Sequence, residues 1–123
     1  MPWNQEVGAA GEAATAASYE ADGHRVVARN WRSRSGEIDL VVARDRTLVI
    51  CEVKTRSSSR FGGGADAVGV DKQRRIRRIA GDFLRSHPWR GDVRFDVAVV
   101  TRHARSGNDV DDSYEVRIIE AAF

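Results

Sequence analysis

Hydrophobic positions change their period along this chain. Residues 5–22 are alanine-rich, with Asn4 placed to cap a helix and Gly23 to stop it. Gly8 and Gly11 each weaken such a helix by roughly 1 kcal/mol relative to Ala, so close packing on a sheet is the expected reason for them. No strand precedes them, so they are not a phosphate loop. Strand-like runs follow at 24–30, 36–43 and 47–55. Residues 56–65 read as a loop. Asp71 is placed to cap a second helix over 72–86, whose apolar stripe is Ile76, Ile79, Ala80, Phe83 and Leu84, and Pro88 closes it. Strands at 93–101 and 114–119 flank a polar loop over 103–113. The order α-β-β-β-α-β-β predicts one α/β domain, residues 1–123, with a mixed sheet flanked by helices.

The same pattern limits the setting. The longest apolar runs, at 40–43, 48–51 and 97–100, have four residues, whereas a membrane helix needs about 20. No Lys or Arg precedes Arg25 and no apolar leader core is visible, so a cytoplasmic protein is expected. Cys51 is the single cysteine, which excludes an internal disulfide and a multi-cysteine zinc site. His24, His87 and His103 show no metal-ligand spacing.

Carboxylates interrupt the strand pattern. Strict alternation puts Glu37, Asp39 and Val41 on one face, and Ile38, Leu40 and Val42 on the other. Ile50, Glu52 and Lys54 likewise share a face, opposite Val49, Cys51 and Val53. A hairpin centred on Asp45-Arg46 sets Asp39 opposite Glu52 and Glu37 opposite Lys54. Opposed carboxylates repel, and burying them unpaired is costly. Lys54 is one compensating charge. A divalent cation is another: Mg²⁺ takes oxygen ligands, usually one or two carboxylates with water and substrate phosphate. A lysine beside it stabilises a hydroxide nucleophile or a phosphorane-like transition state. The plainer arrangement is a Glu37–Lys54 salt bridge with Asp39 at a solvated edge. Cys51 faces away and reads as a core thiol.

Charge adds a second feature. The net is +2, yet residues 23–90 carry +9 between acidic ends of −4 and −3. Such a segment suits a phosphate-bearing partner or a solvated surface. Among 20 cationic residues only Lys54 and Lys72 are lysines. Lys72-Gln73-Arg74-Arg75-Ile76-Arg77-Arg78 crowds positive charge at a helix N-terminal half, against the helix dipole. Positions 74, 77, 78 and 85 form a stripe that tracks phosphates or simply faces water. Lys72, or Gln73 beside it, is expected to point toward Lys54. Arg32 and Arg56, which flank the carboxylate strands, join these as candidate nucleic-acid contacts. Trp31 reads as a base-stacking residue or as packing at a sheet rim. The loop at 56–64 with Phe61 reads as a lid or as a connection, and Phe123 as a packing residue.

Gly36-Glu37-Ile38-Asp39-Leu40 followed by Glu52-Val53-Lys54 resembles the signature of the PD-(D/E)xK nuclease superfamily. Nearly the whole chain resembles its YraN-like family. The matching residues are Gly11-Glu12, Arg29-Asn30-Trp31-Arg32, Glu52-Val53-Lys54-Thr55-Arg56, Phe61-Gly62, Ala67-Val68, Lys72 with its arginine-rich helix, Arg94-Phe95-Asp96-Val97 and Ala122-Phe123. The resemblance implies a restriction-endonuclease-like αβββαβ core, with Asp39 and Glu52 as ligands of Mg²⁺ or Mn²⁺ and Lys54 as the catalytic lysine. Glu12 matches a helix glutamate that completes the metal site in archaeal Holliday-junction resolvases. Glu37 and Trp31 are candidate supporting residues of the site. Ile38 stands where the nominal motif has Pro, which leaves the ligand unchanged. The implied function is a metal-dependent endonuclease on structured or branched DNA, with DNA favoured over RNA as partner. A homodimer would let so small a nuclease cut two strands. The alternative is a non-catalytic nucleic-acid-binding module on the same fold.

Overall fold

The computed structural model describes residues 3–57, 68–103 and 113–123, with side chains from Val7 onward. The elements are α1 (Trp3–Ala21), β1 (Arg25–Ser33), β2 (Gly36–Arg44), β3 (Thr47–Ser57), α2 (Val70–Ser86), β4 (Asp92–His103) and β5 (Ser113–Ile119). All seven follow the expected order. The expected lid around Phe61 and most of the polar loop before β5 lie outside the described residues.

One sheet runs β1-β2-β3-β4-β5. The first three strands form an antiparallel meander, α2 crosses over to lay β4 parallel to β3, and β5 returns antiparallel. Both faces of the centre are covered. Ala16 and Tyr19 of α1 pack on Leu40, Val42, Val49, Cys51 and Ala98. Ile76, Ile79, Ala80 and Phe83 of α2 pack on Val41, Ala43, Leu48, Ile50, Val97 and Val99 from the other side. This explains the four-residue apolar runs: strands buried on both faces lose the alternation of half-exposed ones. The molecule is a three-layer α/β domain with a mixed sheet, consistent with a restriction-endonuclease-like core.

Local details correct the sequence reading. α1 begins at Trp3, so Asn4 lies within its first turn rather than at its cap. Gly23, at φ +86, does end that region. A Cβ on Gly11 would sit 2.1 Å from Thr55 Oγ1, so glycine there lets α1 descend onto β3; Gly8 has no such neighbour. α2 starts on Gly69, with no side-chain cap, and Asp71 falls in its first turn. The Gln73 side-chain amide donates to the Val68 carbonyl at 2.8 Å.

The far end of the chain is also tied down. The Ala122 N–H donates to the Phe95 carbonyl at 2.8 Å, and Phe123 stacks on Phe95 at 5.2 Å. Fully buried Asp96 accepts from Tyr19 of α1, from Arg94, and from the Ala121 N–H. No helix among the described residues is long and apolar enough to cross a membrane.

Candidate active site

The β2–β3 hairpin has the register expected from its turn. Arg44 pairs with Thr47, and the ladder continues to Leu40 opposite Cys51. There the described pairing ends, one step short of Asp39 and Glu52. In place of a ladder bond, the Val53 N–H donates to Asp39 Oδ2 at 2.8 Å. The strands part, and the acidic residues occupy the gap.

A reversal of faces accompanies the change. On β1, Arg29 is opposite Leu40 and Trp31 is opposite Ile38. Leu40 belongs to the α1 side, whereas Ile38 and Trp31 belong to the α2 side. Side chains two apart therefore point to opposite faces in both strands. Asn30 lies at the flip with φ 48, a left-handed conformation that Asn tolerates better than most residues. The expected single face of Ile38, Leu40 and Val42 is thus broken at Asp39, because alternation assumes an uninterrupted extended backbone.

Around this flip the carboxylates gather. Glu52 and Lys54 are registered against Val97 and Val99, whose side chains lie on the α2 side. Lys72, in the first turn of α2, reaches Glu52 with its Nζ 2.8 Å from Oε1. Lys72 thus meets the carboxylate face as expected and gives Glu52 a positive partner. Glu37 pairs across the strands with Arg32 at 3.2 Å. Glu12 approaches from α1, where the Asn30 side chain favours its charged form.

Burial and like charge show in the titration. Burial, then the Glu52 charge, pushes the Asp39 carboxyl up to about 7, with Glu12 and Glu37 adding to the rise and the Val53 N–H opposing it. Glu12 is also raised, first by burial, with Asn30 opposing and Glu37 and Glu52 adding. The four acids therefore share one electrostatic neighbourhood. Among the described residues, no three His, Cys, Asp or Glu side chains close into a ready-made cation cage.

The other candidates divide. Arg74 and Arg78 are exposed on α2. Arg77 turns back instead, its guanidinium 4.6 Å from the Phe95 ring and 5.5 Å from Phe123. It therefore leaves the expected stripe of 74, 77, 78 and 85. Gln73 is engaged by Val68 rather than by the carboxylate face. Trp31 packs edge-on against fully buried Phe83 at 5.1 Å, the sheet-rim arrangement. Arg56 is half-buried near the end of β3, in register with Thr101. Asn30 enters the sequence pattern only as part of the Arg29–Arg32 motif, and its place beside the acids, like the Val53 N–H, emerges only in the fold. An Asn flanked by strand residues was the one available signal for the first, and main-chain donors leave none.

The architecture and the acidic gap coincide with a known sequence grouping. Residues 11–100 match the uncharacterised protein family UPF0102. The chain belongs to that family. It is the YraN-like family that the motifs resemble. A UPF0102 protein of Parafrankia sp. is 48% identical over 103 residues, covering 83% of this chain and 87% of that one. A UPF0102 protein of Frankia casuarinae is 48% identical over 97 residues, covering 78% and 82%. A UPF0102 protein of Mycolicibacterium vanbaalenii is 48% identical over 97 residues, covering 77% and 79%. The match to UPF0102 takes in Glu12, Asp39, Glu52, Lys54 and Lys72 together.

Proposed function

We propose that this UPF0102 protein is a metal-dependent endonuclease hydrolysing phosphodiester bonds in structured or branched DNA. One observation carries the reading: Asp39 and Glu52 meet where β2 and β3 part, with Lys54 and Lys72 beside them. The site lies midway along β3 and faces the start of α2 through Lys72.

The donor set suits a hard cation. Two carboxylates with oxygen donors match what Mg²⁺ or Mn²⁺ takes from a protein, and a buried acid pair favours a counter-charge. Asp39 and Glu52 would hold the cation, with Glu12 approaching from α1. Bound there, the cation would polarise a phosphoryl oxygen and lower the pKa of a water. The chain's own residues do the rest. The Val53 N–H fixes the Asp39 carboxylate. Lys54 places a positive charge beside the attacked phosphate and orients the water. Arg74, Arg78, Arg32 and Arg56 hold the backbone of the nucleic acid electrostatically.

The test is cleavage of duplex, flapped and four-way DNA with Mg²⁺ or Mn²⁺, by wild type and by Asp39→Ala purified identically. Cleavage by wild type and loss in Asp39→Ala is the expected result. Cleavage that survives Asp39→Ala removes the metal assignment.

The Lys72–Glu52 ion pair favours a second reading. A lysine already neutralising Glu52 suits a non-catalytic nucleic-acid-binding module. That module predicts salt-sensitive DNA binding, weakened by Arg74→Ala and Arg78→Ala, indifferent to Lys54→Ala, and without cleavage.

A further inference from the structure

Resting on the endonuclease reading, we infer that Lys72 and the divalent cation exchange at Glu52, and that displaced Lys72 becomes a contact for a substrate phosphate. Glu52 Oε1 lies 2.8 Å from Lys72 Nζ, so a cation held by the same carboxylate would sit beside an ammonium, and the two like charges repel. The Glu52 side chain is 14% exposed and that of Lys72 45%, which places the lysine on the solvent side of the pair. It can therefore swing outward without any movement of α2. Asp39 makes the exchange favourable. Lys72 neutralises Glu52 alone, whereas a divalent ion answers both carboxylates.

The residue type fits this role. Arginine supplies all but two of the 20 cationic residues. A guanidinium grips a carboxylate with a planar two-point fork, but an ammonium on a flexible stem holds it at one point and can leave. Lys72 also sits in the first turn of α2, where the helix dipole disfavours a cation. The Glu52 contact offsets that cost, and a phosphate at the same helix start would offset it again. Arg74 lies two positions on, exposed to solvent, and offers a charge-matched comparison.

The experiment is calorimetric titration of the full chain with Mn²⁺, for wild type, Lys72→Met and Arg74→Met. Lys72→Met should bind Mn²⁺ about five-fold more tightly, the value of a partly exposed ion pair removed from competition. Arg74→Met should shift by less than about two-fold, because its charge is screened by solvent. A four-way DNA is then titrated in Ca²⁺ and in EDTA. Lys72→Met should weaken binding in Ca²⁺ and lower the salt slope by about one, while matching wild type in EDTA. Unchanged or weaker Mn²⁺ binding by Lys72→Met overturns the exchange, as does an equal loss of DNA affinity in EDTA. Wild type that binds no Mn²⁺ overturns the endonuclease reading and the exchange together. Tighter Mn²⁺ binding by Lys72→Met without DNA cleavage by wild type leaves the exchange standing and removes the catalysis.

Discussion

The Val53 N–H donates to Asp39 Oδ2 at 2.8 Å across the parted strands β2 and β3. A side-chain oxygen here takes over from a ladder carbonyl. The half-buried N–H keeps its partner, and the hairpin opens there without leaving that donor unsatisfied. The opening also creates the room in which Glu52, Glu12 and Glu37 approach Asp39. Backbone satisfaction and acid clustering are thus one local solution.

The stability of the metal-free protein should fall as pH rises through the Asp39 transition. Burial and the neighbouring acids lift its carboxyl from the ordinary 3.8 to about 7. Between those values the folded chain holds a proton that the unfolded chain has lost, so folding weakens with rising pH, by on the order of a few kcal/mol. Asp82, which Ser33 and Ser35 hold below its ordinary value, acts in the opposite sense as pH falls. Asp39→Asn keeps an acceptor for Val53 and cannot ionise. Urea unfolding in EDTA should find Asp39→Asn more stable than wild type at pH 8 and similar at pH 5. Parallel pH profiles for the two proteins would show that Asp39 is not strained by its charge.

Gly11→Ala should destabilise the fold by about 1–3 kcal/mol, because the new Cβ meets Thr55 Oγ1 at 2.1 Å and Thr55 Cβ at 3.2 Å. Helix propensity alone would predict a gain of roughly 1 kcal/mol, so the sign is diagnostic. Gly8→Ala, with open space around it, should show that gain. Thr55→Ala should recover part of the Gly11→Ala loss in a double-mutant cycle. Equal effects of the two glycine substitutions would mean that α1 does not rest on Thr55.

Much of this fold is written locally. The Asp45-Arg46 turn fixes a register that then holds to Leu40 and Cys51. The stripe of Ile76, Ile79, Ala80 and Phe83 sets the buried face of α2. The site is only partly local. Alternation puts Glu52 and Lys54 on one face correctly, but it carries Ile38 to the wrong side, since a left-handed Asn30 is invisible to a period-two pattern. Likewise, Arg77 and Arg74 look alike in sequence. The Phe95–Phe123 stack that separates them comes from β4 and the end of the chain, so only tertiary structure distinguishes them. Lys72 reaches Glu52 across the β3–α2 connection, a distance that no helical or strand spacing measures.

Cys51 should resist alkylation in the folded protein. It is buried, and desolvation pushes its thiol up to about 12, leaving little thiolate at pH 8. Its surroundings include Tyr19, which donates to Asp96 at 2.7 Å. Removing that hydroxyl in Tyr19→Phe should cost about 1–2 kcal/mol. Asp96→Ala, which strands the Tyr19 hydroxyl and the Arg94 guanidinium, should cost roughly 3–5 kcal/mol. Thiol labelling at fixed urea should accelerate in that order. Rapid labelling of native wild type would show that α1 does not seal this face of the sheet.

Arg77 and Arg74 should separate packing from phosphate binding. The Arg77 guanidinium lies over Phe95 and Phe123, so Arg77→Ala should lower stability by about 0.5–2 kcal/mol through the lost cation–π contact and its covered ring surface. Arg74 faces solvent, and Arg74→Ala should leave the urea midpoint nearly unmoved. DNA binding should rank them the other way. If Arg74 meets a phosphate, its loss lowers the slope of log affinity against log salt by about one, whereas Arg77→Ala keeps the wild-type slope. Lys would not replace Arg77 fully, because an ammonium lacks the flat face that lies on the two rings. A salt slope altered by Arg77→Ala and not by Arg74→Ala would place the nucleic acid over the end of the chain rather than along the outer face of α2.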